Sequence, residues 1–141
     1  MSVATITRRV TFSAVHRYRR ADWDDARNEQ TFGSREITNY HGHEYVCDVS
    51  VSGPIDETTG MILDLRELDR AIRAEVTDRF HNRNLNEDVA ESADGKQIPT
   101  GENLARLIAT NVQRALGSRG VVSSVSVAED ATLSSTWRSA G

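Results

Sequence analysis

The chain has a single cysteine, Cys47, and only two prolines in 141 residues. One thiol excludes an internal disulfide, so the fold has to rest on its own core, and a reducing cytoplasm is the expected compartment. No run approaches the roughly 18 apolar residues of a membrane span. The opening MSVATITRRV also lacks the apolar stretch of a secretory leader. Basic residues are in deficit: 17 Lys and Arg against 21 Asp and Glu give a net charge of −4. That leaves no electrostatic footprint for nucleic acid or anionic lipid, so neither is an expected partner. There is no internal repeat and no low-complexity segment. What is present, 38% hydrophobic and 27% charged residues, fits one soluble globular domain over residues 1–141.

Two periodicities organise the chain. Residues 3–16 (VATITRRVTFSAVH) alternate, with Ile6, Val10, Phe12, Ala14 and His16 on one face and Arg8 as the intruder. Residues 41–53 (HGHEYVCDVSVSG) alternate again, placing His41, His43, Tyr45, Cys47, Val49 and Val51 together. Between them, residues 17–40 are charged and without sustained periodicity, which reads as a long functional or mobile loop. Asp64, with Glu67 three residues on, predicts a capping-box start to a helix carrying Leu65, Leu68, Ile72, Val76 and Phe80. After a second loop, Thr100 caps a helix with Leu104, Leu107, Ile108, Val112 and Leu116 that stops at Gly117. Strands over 121–129 and roughly 131–139 close the chain. The order β-β-α-α-β-β predicts an α+β fold: an antiparallel four-stranded sheet with two helices on one face.

Both leading strands end their apolar faces in histidine. His41 and His43, two apart, project to the same side, and His16 ends the neighbouring face. Three neutral imidazoles from two strands suit Zn²⁺ and leave a fourth position open, the catalytic rather than the structural arrangement. The alternative is three half-buried histidines, each satisfied by a hydrogen bond. Glu129 has the parity of Val121, Val125 and Val127 and so points toward the apolar face, where a carboxylate is costly without a partner. Cys47, on a buried face, reads as a small core hydrophobe.

The segments FSAVHR, FG(x)₇HGHEY, G(x)₆GMILDL, NLNED, PTGEN and SVAED resemble, in order and spacing, the 6-pyruvoyl-tetrahydropterin synthase family. That family includes the 6-carboxy-tetrahydropterin synthases of the deazapurine (queuosine) pathway. The resemblance covers residues 6–138. It implies zinc held by His16, His41 and His43, and the tunnelling fold (T-fold). In that fold three subunits pool their sheets into a barrel, two rings stack as a hexamer, and active sites lie between subunits. It implies that Glu129 anchors a pterin, accepting from an amino N–H and a ring N–H side by side in a bidentate, charge-assisted pair. Glu102 matches a position near the pterin. An acidic residue in a first helical turn is also favoured by the helix dipole alone. Thr100 has two candidate roles, substrate contact and helix N-cap.

The chain departs from the family at three proton-handling positions. Family members act on the side chain of 7,8-dihydroneopterin triphosphate, with a cysteine six residues before HGH and an Asp-His pair before "LN" or "LD". Here Arg35 stands at the cysteine's place, and a guanidinium cannot serve as a base. Anchored on Leu85-Asn86, His81 and Asn82 stand at the Asp-His places; a register with one inserted residue instead puts Phe80 at the aspartate and keeps His81 as the histidine, and either way the pair is incomplete. A zinc-dependent carbon–oxygen or carbon–carbon lyase running altered chemistry is therefore expected. Arg35 would neutralise an anionic group, and Glu36 or His81 would move protons. Two alternatives remain: a non-catalytic pterin-binding paralogue, and a variant that uses Glu36 to form 6-hydroxymethyl-dihydropterin.

Overall fold

In the computed structural model the described residues run from 2 to 140, with the side chains of Arg35 and Glu36 outside the description. Strand β1 (Val3–His16) and strand β2 (His41–Pro54) pair antiparallel along their whole lengths, from Val3 opposite Pro54 to His16 opposite His41. The expected boundaries hold to within a residue, because strict alternation leaves only one way to bury Phe12, Ala14, Tyr45, Cys47, Val49 and Val51 on one face. Arg8 falls on that face and is accommodated by a two-pronged pair with Asp69, at 2.8 and 2.9 Å.

Strand β4 (Val121–Asp130) pairs with β2, and β5 (Leu133–Arg138) with β4, both antiparallel. A β-bulge falls where the register jumps from Ser50–Ser124 to Val51–Val122. The extra residue flips the parity of the strand's first positions. Val122 is therefore buried and Val121 is 57% exposed, opposite to the expected alternation, while Val125, Val127 and Glu129 keep the inward face. The sheet has five strands rather than four, in the order β3-β1-β2-β4-β5. The additional β3 (Arg83–Asn84) lies parallel to β1, and two residues are too few to leave a periodic signal.

The helical layer covers one face. From an Asp64 cap, helix α3 (Leu65–Ile72) passes through a π-helical turn (Arg73–Thr77) into helix α4 (Asp78–Phe80). The widened turn keeps Leu68, Val76 and Phe80 all fully buried. Leu65, expected in the apolar stripe, is 45% exposed. The capping box is not formed either: Asp64 accepts from the N–H of Arg66, and Glu67 instead pairs with Arg119 at 3.1 Å. Helix α5 (Gly101–Leu116) starts at Thr100, whose Oγ1 accepts from the N–H of Asn103 at 3.1 Å, and stops at Gly117. Gly101 is needed for close approach: a Cβ there would lie 2.7 Å from Ser135 Oγ on β5. Leu104, Ile108, Val112 and Leu116 of α5 meet the valines of β2 and β4 in one core. Each such side chain stabilises the fold by roughly 1.5–3 kcal/mol relative to exposure.

The segment 17–40 is not an unstructured loop. It contains helix α1 (Asp25–Phe32) and the short helix α2 (Arg35–Thr38). Asp24 caps α1 by accepting from the Arg27 N–H. Asn28, buried, accepts from the Arg20 N–H and donates to the carbonyls of Arg20, Trp23 and Asp24. Polar clamps hold this helix in place of an apolar stripe, so hydrophobic periodicity could not find it.

Candidate metal centre and ligand pocket

The paired ends of β1 and β2 bring His16, His41 and His43 together. One ligand atom from each of the three lies within 4.8 Å of the others. Ring centroids are 4.6 Å apart for His16–His41, 5.1 Å for His16–His43 and 4.9 Å for His41–His43, all edge-to-face. His16 Nδ1 lies 2.7 Å from the Pro99 carbonyl, and His41 Nδ1 lies 2.9 Å from that of Asn39. A carbonyl accepts only, so in the neutral rings both Nδ1 atoms donate and both Nε2 lone pairs are left free for a cation. The Nε2 atoms of His16 and His43 are buried and, among the described residues, without a hydrogen-bond partner. Burial pushes the His16 pKa down to about 4 against the Pro99 contact, with His41 and His43 lowering it further. His16 is thus neutral at physiological pH, the form that ligates a metal. Three imidazoles with aligned free nitrogens fit Zn²⁺.

Glu129 adjoins this cluster. It is 9% exposed, with Oε1 3.8 Å from His16 Nε2 and Oε2 3.7 Å from His43 Nε2. Its one side-chain hydrogen bond among the described residues, from the Tyr18 hydroxyl, is long at 3.5 Å. A carboxylate this enclosed and this poorly satisfied is built to meet something else. Burial pushes the Tyr18 phenol up to about 12, with Glu129 and then Glu102 raising it further. Glu102 is exposed in the first turn of α5, near enough to Tyr18 to raise its phenol. Thr100 takes the N-cap role, holding the start of that helix.

The other candidates lie around this centre. His81 follows α4 and is tied to β1: the Ser13 N–H donates to its Nδ1 at 3.1 Å. Asn82 takes the left-handed backbone conformation, φ 59°, and its N–H donates to the Ser13 carbonyl. A cleft of about 540 Å³ is lined by His43, Gly42 and Glu44 on one side and Asn82 and Arg83 on the other. Of the three histidines it reaches His43. Arg35 and Glu36 belong to α2, whose backbone meets the site through the Tyr18 N–H, a donor to the Ile37 carbonyl at 3.0 Å; their side chains lie outside the described ones. Two residues not singled out from sequence, Tyr18 and Tyr45, complete the surroundings. Tyr45 carried a signal in its shared face with His41 and His43. Tyr18, beyond the strand, carried none.

Fold and site together define a T-fold protein with a three-histidine centre next to an enclosed carboxylate. The family model for 6-pyruvoyl tetrahydropterin synthase matches residues 5–140. The chain is 41% identical to the 6-pyruvoyl tetrahydrobiopterin synthase of Drosophila melanogaster over 79% of its length and 65% of that protein's. It is 36% identical to the human enzyme of that name over 80% of its length and 77% of the human chain. The solved structure of the Caenorhabditis elegans 6-pyruvoyl tetrahydropterin synthase superposes with a TM-score of 0.89 at 31% identity, covering 99% of this chain and 98% of that one. The chain belongs to the 6-pyruvoyl tetrahydropterin synthase family.

Proposed function

We propose that the protein is a zinc-dependent pterin-processing lyase acting on the side chain of 7,8-dihydroneopterin triphosphate or a related bicycle, with chemistry altered from the family's. The observation that carries this reading is Glu129: an enclosed carboxylate with one long hydrogen bond, facing the free nitrogens of His16 and His43. His16, His41 and His43 would hold the ion. When bound, zinc supplies Lewis acidity that lowers the pKa of hydroxyls it holds. The remaining work belongs to the chain. Glu129 accepts the amino and ring N–H of the heterocycle, and Tyr18, donating to Glu129 Oε1, keeps that carboxylate aimed. Glu102 lends negative charge at the same end. Arg35, always protonated, neutralises a phosphate or carboxylate of the substrate. A proton leaving the side chain passes to Glu36 or to His81. Assembly as a trimer or hexamer, with sites between subunits, is what the family resemblance implies.

Two structures of the same fold, of the Plasmodium vivax 6-pyruvoyltetrahydropterin synthase, are of variants in which a catalytic glutamate is replaced. At 14% identity that likeness extends to the fold alone, so the parallel supports Glu36 only as chemistry. The competing reading, a pterin-binding paralogue without turnover, is favoured by the replacement of all three proton-handling positions, Arg35, His81 and Asn82.

Incubation of purified protein with dihydroneopterin triphosphate, followed by mass spectrometry, separates the two. A product mass supports the enzyme, and bound, unconverted pterin supports the paralogue. In the same assay Glu129→Gln should abolish pterin binding and leave the zinc content unchanged. Binding that survives Glu129→Gln would sink the anchor role.

A further inference from the structure

One buried polar atom has no role so far. Tyr45 is fully buried on β2, and among the described residues its hydroxyl has no hydrogen-bond partner. Among the described residues the other such side-chain atoms are Nε2 of His16 and of His43, so the three gather at one place. The ring of Tyr45 packs edge-to-face on both histidines, with centroids 5.8 Å from His16 and 5.5 Å from His43. Phe12, its cross-strand partner, stacks on it at 4.8 Å and 12°, which fixes the ring and so the aim of its hydroxyl. The last recorded pair between β2 and β4 is Val46 with Ala128. One step further along each strand, Tyr45 and Glu129 are both buried on the inward face. A phenol sealed from water ordinarily has a partner. Here it has none, and it lies on the same inward face as Glu129.

We propose that the Tyr45 hydroxyl reads the ring carbonyl of the bound heterocycle and so selects 2-amino-4-oxo rings over their 2,4-diamino counterparts. This rests on the reading that a pterin-like bicycle lies against Glu129. Along the pyrimidine edge of such a ring an amino N–H, a ring N–H and a carbonyl oxygen stand in a row. Glu129, an acceptor, takes the first two; the third requires a donor. Tyr18 already donates to Glu129, and the two free imidazole nitrogens face the cation position. Tyr45 offers such a donor, a phenol that keeps its proton at neutral pH. Exchanging the carbonyl for an amine sets donor against donor and leaves the hydroxyl buried and unpaired.

The test compares the unmodified protein with Tyr45→Phe, both zinc-loaded, by calorimetric titration with 6-hydroxymethylpterin and with 2,4-diamino-6-hydroxymethylpteridine. The unmodified protein should prefer the oxo ring by about tenfold or more. Tyr45→Phe should lose about that factor for the oxo ring alone, and with it the preference. Its zinc content should be unchanged, and its ligand-free melting temperature should be no lower than the parent's, because the hydroxyl it lacks had no partner. Retained preference in Tyr45→Phe overturns the inference. So does a lowered melting temperature with unchanged affinities, which would assign the hydroxyl to the fold. If the unmodified protein binds neither pteridine, the pterin reading itself fails and this inference goes with it. If it binds the oxo ring and Glu129→Gln does not, the reading stands and the fate of Tyr45 is decided separately.

Discussion

Burial decides what His16 can do. Its folded pKa, held down at about 4 chiefly by desolvation, lies below the value of about 6.5 for the unfolded chain. Between those two pH values the unfolded state binds a proton that the folded state does not. Stability of the metal-free protein is therefore complete above about pH 6.5 and falls as pH drops toward about 4, by a few kcal/mol at most. Urea unfolding of chelator-treated protein at pH 7, 5.5 and 4.5 should show this decline, and His16→Gln should flatten it. An equally steep decline in His16→Gln would assign the acid sensitivity elsewhere. Zinc should steepen the acid loss further, since protons compete for the same nitrogens. The three histidines were legible because strand period two places them on one face. The carbonyls that fix their tautomers were not: Pro99 meets His16 across 83 residues of sequence, and no local pattern encodes such a contact.

The elements follow the same division. The two long strands and α5 were legible nearly to the residue, since hydrophobic period, the Thr100 cap and the Gly117 stop all agree. Elements set by polar contacts were not. α1 rests on Asp24 and Asn28, the β4 bulge follows from pairing with β2, and the π turn lets Val76 and Phe80 both reach the core. Thr100 permits a direct test of a cap that also borders the site. Thr100→Ala should cost about 1 kcal/mol of stability through the loss of the bond from the Asn103 N–H, read as a lower urea midpoint. With the cap role sufficient, pterin affinity should change less than twofold. A tenfold loss of affinity with unchanged stability would give Thr100 to the ligand instead.

At the scale of the whole molecule the sheet ends in two open edges among the described residues, β3 and β5. Such edges invite pairing with another chain. The face away from the helices is polar, with Thr5–Ser52 and Thr7–Ser50 hydroxyl pairs and an Arg9–Asp48 ion pair. A sheet covered by helices on one side and hydroxyl-lined on the other suits a wet barrel interior, the assembly expected from the family resemblance. Light scattering on the eluting protein should return three or six times the 15.6 kDa chain mass. A lone chain in solution would remove the between-subunit site that the resemblance implies.

Cys47 sits fully enclosed at the middle of β2, its thiol pushed up to about 12 by burial and by Asp48. Alkylating reagents should thus pass over the folded protein. Because the chain offers no second sulfhydryl, iodoacetamide uptake would serve as a clock for global opening. Labelling that keeps pace with complete unfolding is the expected record; faster labelling would mean that the centre of the sheet breathes on its own.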